Sequence, residues 1–296
     1  MADQPCGFLV LDKPAGLSSQ ACVGHVRRAY GLRRVGHGGT LDPAVTGVLP
    51  IAVGNATRLL PYLPGEKAYQ GVVQLGVITS SDDLEGEVMQ RQAVPALDLG
   101  HIATTLNGFR GAILQVPPQV SAVHVDGQRA YKRVRRGEIL QLQPRSVVIH
   151  RLELLGWEPC SGRIKLAVHC SAGTYIRALA RDLGAVLGCG GCLASLRRTA
   201  ALGFKDDESI PLETLNPAKT PPTLLSPLAP LRHLAQHQLS SVDLAGWRCG
   251  RTIDCSAHLT IGEPVVILEP DGNLAGMARV TEANQLQPKL VINAAG

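Results

Sequence analysis

Hydrophobic and polar positions fall into short, well-punctuated blocks along this chain. Gly7 to Asp12 (GFLVLD) is an apolar run closed by Lys13-Pro14-Ala15-Gly16, which predicts a buried strand ended by a turn. Ala21, Cys22, Val23 and Val26 then form an apolar stripe at helical spacing, with Ser18 or Ser19 placed to cap it and Gly31 to stop it. Tyr69 to Thr79 (YQGVVQLGVIT) is rich in β-branched residues and predicts a strand. Leu97 to Leu106 reads as a helix and Arg163 to Cys170 (RIKLAVHC) as a strand. The clearest helix opens at Thr174, where Ile176, Leu179, Ala180, Leu183, Val186 and Leu187 share a face and Gly188 ends it. Arg177 and Arg181 lie on another face of that helix. Because Arg177 falls in the first turn, where the helix dipole disfavours a cation, a partner anion is expected beside it.

Between Lys205 and His237 six prolines interrupt regular structure, so residues 205–237 read as a packed linker leading out of a large domain. Strand signals return at Val265 to Leu268, at Ala275 to Val280 after the Pro270-Asp271-Gly272-Asn273 turn, and at Leu290 to Asn293. The predicted organisation is α+β, with a large domain over residues 1–237 and a small β-rich module over residues 238–296. No internal repeat is evident.

Composition narrows the classes available. With 296 residues and 45% hydrophobic content the chain has material for a sizeable core, which excludes disorder as a whole. The net charge of +5 suits a polyanionic partner but does not identify one. The N-terminus lacks a basic segment followed by a long apolar one, and no run reaches the roughly 18 apolar residues of a membrane span, so a soluble cytoplasmic protein is expected. Eight scattered cysteines fit reduced thiols better than a disulfide framework. Cys189-Gly-Gly-Cys192 has no second ligand pair at zinc-site spacing; small-residue packing is the preferred reading and no metal is expected.

The segment Gly36 to Arg58 (GHGGTLDPAVTGVLPIAVGNATR) carries the candidate chemistry. Gly36, Gly38, Gly39 and Gly47 permit positive φ and close approach by a ligand, while Pro43 pushes Asp42 toward an extended backbone. A carboxylate is thereby displayed in a glycine-rich turn. Downstream, Arg129, Lys132, Arg133, Arg135 and Arg136 surround Tyr131. Such a run could track a phosphate backbone and stack on a base, or simply form a solvated helix face.

Taken together, these motifs resemble the TruB family of tRNA pseudouridine synthases. Gly36-His37-x-Gly39-x-Leu41-Asp42-Pro43 through Gly47-x-Leu49, followed by Gly54-x-Ala56-Thr57-Arg58, is similar to the family signature. Leu11-Asp12-Lys13-Pro14-x-Gly16-x-Ser18-Ser19 resembles its N-terminal block, and Lys67-x-Tyr69 its tyrosine motif. Gly173-Thr174-Tyr175-Ile176-Arg177 with Asp182-Leu183-Gly184 resembles the arginine motif, and Ser195-Leu196-Arg197-Arg198-Thr199 the block after it. These blocks span most of residues 7–204. The C-terminal module is similar to the family's PUA-like domain, and the resemblance implies a mixed or antiparallel sheet with flanking helices in the large domain.

The implied reaction isomerises a uridine in the tRNA T-loop, conventionally uridine 55, to pseudouridine, without a cofactor. Breaking the glycosidic bond develops positive character at the sugar, which a carboxylate stabilises or captures. Asp42 matches the catalytic aspartate, Arg177 the arginine that pairs with it, and Tyr69 the tyrosine that stacks on the base and helps remove the C5 proton. Tyr175 and Leu196 match residues lining the uracil pocket, and His37 the histidine that contacts the T-loop once the uridine has flipped out. Arg58, Lys67, Arg129 and Lys132 are expected phosphate contacts, the last two in an insertion over residues 120–146 that closes on RNA; Lys13 joins them as a substrate-binding residue. The partner is the tRNA T-stem-loop, with a monomer and no obligate protein partner expected. Gly38, Thr40, Arg58 and Val120 depart from common family residues, and none of them is Asp42, Tyr69 or Arg177. Two alternatives share these motifs: a tRNA-binding or folding protein with incidental catalysis, and a guide-RNA-dependent H/ACA synthase.

Overall fold

The computed structural model describes residues 5–255 and 259–294; the outer limits of the expected domains, at 1 and 296, and the first four residues, where the expectation of no leader was placed, lie outside them. In chain order the elements begin with β1 (Gly7–Lys13), α1 (Ser19–Tyr30), β2 (Val35–His37), β3 (Thr46–Val53), β4 (Lys67–Leu75), β5 (Val77–Thr79) and β6 (Val88–Arg91). There follow α2 (Leu99–Asn107), β7 (Gly111–Gln115), β8 (His124–Val125), β9 (Gln128–Arg129), α3 (Ala130–Val134), β10 (Arg145–Glu158), β11 (Arg163–Cys170) and α4 (Ile176–Val186). The chain continues through β12 (Gly191–Ala201), β13 (Phe204–Lys205), β14 (Ile210–Pro211), β15 (Ala235–Gln238), α5 (Ser241–Arg248), β16 (Ile253–Asp254), β17 (Pro264–Leu268), β18 (Leu274–Val280) and β19 (Gln285–Val291).

A mixed ten-stranded sheet runs in the order β14-β1-β3-β12-β4-β11-β10-β7, with β2 on β3 and β13 on β12. Its central joint is the short parallel contact between β12 and β3, where Arg197 and Arg198 lie opposite Thr46 and Gly47. Most other pairings are antiparallel. This is the α+β architecture expected, a large mixed sheet followed by a β-rich C-terminal unit.

Side-chain alternation divides the sheet into two faces. Leu9, Leu11, Leu49, Ile51 and Val53 enter one core with Val23 and Val26 of α1 and Leu179 and Leu183 of α4. Phe8, Val10, Val48 and Ala52 enter another, covered by Leu59 of a 3-10 segment and by Val266, Leu274, Met277, Leu290 and Ile292. The C-terminal unit therefore shares a core with the large sheet. Its own five-stranded sheet, in the order β15-β17-β18-β19-β16, encloses Trp247.

Local chemistry accounts for the element ends. Ser18 caps α1 by accepting from the Ala21 N–H, and Gly31 stops it at φ 62°. The predicted strand Tyr69 to Thr79 breaks into β4 and β5 at Gly76, whose φ of 78° does not fit a strand. Helix α4 starts at Ile176 rather than Thr174, because Gly173 at φ 85° makes a turn first. The last predicted strand begins earlier, at Gln285. The proline-rich stretch does more than link: β14 pairs in parallel with β1, and Leu225 bridges Phe8, so part of it lies along the edge of the large sheet.

Candidate active site

Asp42 lies on the loop between β2 and β3, and that loop is fastened from beneath. The Ser19 hydroxyl accepts from the Leu41 N–H at 2.8 Å and donates to the Leu41 carbonyl at 3.1 Å. The Gly16 N–H donates to the Pro43 carbonyl at 2.9 Å. Lys13 is fully buried, and its ammonium donates to the carbonyls of Pro14, Leu17 and Pro43 at 2.8, 2.7 and 3.0 Å. With three donors committed to backbone, Lys13 has none left for RNA. Expected from the sequence as a substrate-binding residue, Lys13 lies here beneath the Asp42 loop and braces it.

The glycines of this segment also have structural tasks. Gly39 and Gly47 have φ of 109° and 100°, whereas Gly36 and Gly38 do not use the left-handed region. A Cβ on Gly47 would lie 2.2 Å from the Arg198 carbonyl, so its absence lets β12 approach β3.

Arg177 meets Asp42 from the first turn of α4. Its Nε is 3.0 Å from Asp42 Oδ2 and 3.6 Å from Asp83 Oδ2. Its two terminal nitrogens donate to the carbonyls of Ser81 at 2.8 Å and Val120 at 2.9 Å. The anion anticipated from the helix position is present, and it is doubled. Asp83 escaped the sequence reading; its only signal was the acidic turn Ser80-Ser81-Asp82-Asp83. The neighbouring Arg181 is held separately, by Asp82 at 2.9 Å and Asp182 at 2.8 Å.

A cavity of about 260 Å³ opens beside Asp42, lined among others by Lys67, Tyr69, Tyr175, Arg177 and Leu196. Tyr69 stands on central strand β4, opposite Val168 of β11 and Arg198 of β12, and is 7% exposed. Burial pushes its phenol pKa up, and the nearby Arg198 cation opposes that rise. Burial also lowers the pKa of Lys67, assisted by repulsion from Arg198. Tyr175 packs against the insertion's own small core of Val123, Ala130, Leu140 and Leu142. A larger cavity of about 500 Å³ also borders Asp42, bounded by Ser81, Asp83, Glu85, Val120 and Arg135 among others.

The remaining residues singled out by sequence lie away from this cavity's lining. His37 is half-buried at the end of β2, its Nδ1 has no partner, and burial with the Arg198 charge lowers its pKa. Arg58 is exposed and donates to the Val291 carbonyl of the C-terminal unit at 3.3 Å. Arg129 and Lys132 line a separate cavity of about 400 Å³ with His124, Gly127, Gln128 and Arg136. Cys189 and Cys192 are buried, and among the described residues no group of three or more His, Cys, Asp or Glu is arranged to hold a metal ion.

A carboxylate beside a cavity floored by a tyrosine, steadied by an arginine from a different element, is the pattern expected from the sequence motifs. Residues 27–176 match the TruB family pseudouridylate synthase N-terminal domain, and residues 177–231 match the tRNA pseudouridylate synthase B C-terminal domain. The chain belongs to the TruB family. By family it is a pseudouridine synthase, an isomerase. One TruB relative, tRNA pseudouridine synthase B of Parasynechococcus marenigrum (strain WH8102), is 59% identical over 294 residues, covering 99% of this chain and 100% of the relative. A second, from Synechococcus sp. (strain WH7803), is 57% identical over 298 residues, covering 99% of each. The TruB fold is also found in a chain of an H/ACA RNP bound to a substrate RNA containing 2'-deoxyuridine, with TM-score 0.72 and 23% identity over 96% of this chain and 84% of that one. A chain of a Cbf5-Nop10-Gar1 complex gives TM-score 0.72 at 24% identity, covering 97% and 83%. At that identity the likeness to these assemblies concerns fold alone.

Proposed function

We propose that this TruB-family chain isomerises the T-loop uridine of tRNA conventionally numbered 55 to pseudouridine, acting alone as a cytoplasmic monomer. The observation that carries the reading is the Asp42 carboxylate, held by Arg177 at 3.0 Å beside the cavity that Tyr69 lines. Relatives named tRNA pseudouridine synthase B, matched over almost the whole chain, support tRNA as the substrate class.

The residues divide the work as follows. The uridine leaves its stack in the T-loop and enters the cavity between Tyr69, Tyr175 and Leu196, at a cost of a few kcal/mol. Asp42, paired with and oriented by Arg177, offsets the positive charge that develops at C1′ as the glycosidic bond breaks. The uracil turns within the cavity, its C5 bonds to C1′, and Tyr69 takes the C5 proton while N1 gains one. No atoms are gained or lost, in keeping with an isomerisation. His37 meets the opened T-loop, while Arg58, Lys67, Arg129 and Lys132 supply phosphate contacts, and the C-terminal unit serves as a PUA-like RNA-binding module.

The test is purified protein with a naked T-stem-loop and no guide RNA. Pseudouridine is expected at the T-loop position with the native chain, and Asp42→Asn is expected to abolish it while retaining RNA binding. Product undiminished by Asp42→Asn would sink the role of Asp42. A requirement for guide RNA would instead make the chain a guide-dependent synthase.

A further inference from the structure

Arg198 is fully buried beside the proposed site, and among the described residues no carboxylate forms an ion pair with it. Its chain neighbour Arg197 provides the contrast, pairing with Asp12 at 2.9 Å and Asp206 at 2.5 Å. Arg198 instead donates from Nε to the Val48 carbonyl at 2.7 Å and from Nη2 to the Gly39 carbonyl at 3.2 Å. Its Nη1 is buried without an acceptor. On the adjoining strand, Tyr69 stands directly opposite Arg198 in register.

A buried cation without a counter-charge is costly, which an anion forming during function would offset. Three observations converge on the Tyr69 oxygen as that anion. The two residues are cross-strand partners; one nitrogen of the guanidinium, Nη1, is uncommitted; and the other two nitrogens grip the segments on either side of Asp42. The Tyr69 phenol in turn favours the charged form of Arg198, against the burial that disfavours it.

We propose that Arg198 is a positioning residue for proton removal from C5, stabilising negative charge on the Tyr69 oxygen and fixing that oxygen relative to the Asp42 loop. The inference rests on the pseudouridine synthase reading above. In this step the phenol has first yielded its proton to solvent. The C5–H bond then breaks and its proton passes to the phenolate oxygen. The bonding pair forms the C5–C6 double bond, the C6–N1 pair moves onto N1, and N1 takes a proton from solvent. The charge of Arg198 is in place before the phenolate forms, so it stabilises that state without reorganisation.

The experiment is single-turnover conversion of a T-stem-loop by the full chain, with hydrogen or deuterium at C5 of the target uridine. Arg198→Gln, which keeps a donor but loses the charge, is expected to slow conversion by on the order of 100-fold, with RNA affinity within about threefold of native. Deuterium is expected to slow this variant more than it slows the native protein. Arg198→Lys, which keeps the charge, is expected to stay within about tenfold of native. Equal losses in the two variants, with the deuterium effect unchanged from native, would reduce Arg198 to a structural brace and overturn the proposal. Should Arg198→Gln fail to fold by circular dichroism, Arg198→Lys in a Tyr69→Phe background decides the matter. No further loss is expected there, and the same fractional loss as in the native background would overturn the proposal. Absence of product from the native chain would overturn the activity reading itself, and this inference with it.

Discussion

Arg177 Nε lies 3.0 Å from Asp42 Oδ2, joining a guanidinium that is 8% exposed to a carboxylate that is 45% exposed. The pair is asymmetric, and its two members should respond differently to removal. Arg177→Met removes the cation beside Oδ2 of Asp83, which is 19% exposed and keeps the Ser81 hydroxyl and the Glu85 N–H on Oδ1, and it strands the carbonyls of Ser81 and Val120. After discounting for the solvent around Asp42, it is expected to cost about 2–4 kcal/mol. Asp42→Asn leaves those other contacts in place and is expected to cost under about 1 kcal/mol. Urea unfolding of the two variants checks the contrast; equal costs would mean that Arg177 is held by Asp42 alone.

Lys13 makes a different kind of prediction, since its three hydrogen bonds all end on backbone. Lys13→Met is expected to destabilise the fold by about 2–3 kcal/mol through the lost ammonium bonds at the Pro14 and Leu17 carbonyls, while the Pro43 carbonyl keeps the Gly16 N–H. RNA affinity of the folded variant should stay within about twofold of native. A loss of affinity with native stability would return Lys13 to the RNA surface.

Gly47→Ala introduces a methyl where the Arg198 carbonyl lies 2.2 Å away, on a backbone at φ 100°. Strand β12 or β3 must shift to admit it. A loss of about 2–3 kcal/mol is expected, together with reduced turnover, because the same joint carries both the Asp42 loop and Arg198. Gly36→Ala is the control, as its added Cβ meets only ordinary contacts at 3.8 Å.

The basic cavity on the insertion predicts a salt effect. Arg129 and Lys132 are exposed and converge with Arg136 and His124. Replacing both Arg129 and Lys132 by Ala should weaken RNA binding and reduce the slope of log affinity against log salt by roughly 0.7–0.9 per residue. Binding titrations at several salt concentrations measure this, and an unchanged slope would remove these residues from the phosphate contacts.

Much of the secondary structure was legible because its causes are local. Ser18, Gly31 and the stripe through Cys22, Val23 and Val26 specify α1 within a dozen residues, and the apolar run of β1 needs no distant partner to be recognised. The exceptions are local as well. Gly76 divides a run that otherwise reads as one strand, and the Gly173 turn delays α4. What escaped were relationships across the chain. The small β module could be read as a separate domain, but the apolar surface joining it to Phe8, Val10 and Ala52 appears only when the two sheets pack.

The same division runs through the site. Asp42, Tyr69 and Arg177 stand out in sequence because each sits in a recognisable block, and the need of Arg177 for an anion follows from its place on a helix. Asp83 carries no comparable local signal, and Arg198, although it sits in the block Ser195 to Thr199, gives no sign in sequence that it faces Tyr69. Asp83 reaches Arg177 through the turn after β5, and Arg198 faces Tyr69 through the pairing of β12 with β4. From sequence Lys13 is expected to bind substrate, and only the packed chain shows its ammonium among three carbonyls. Residue order is sufficient for caps, turns and side-chain alternation, whose forces act over a few positions. Strand register and burial arise from the packing of the whole chain, and they choose the neighbours of each charge.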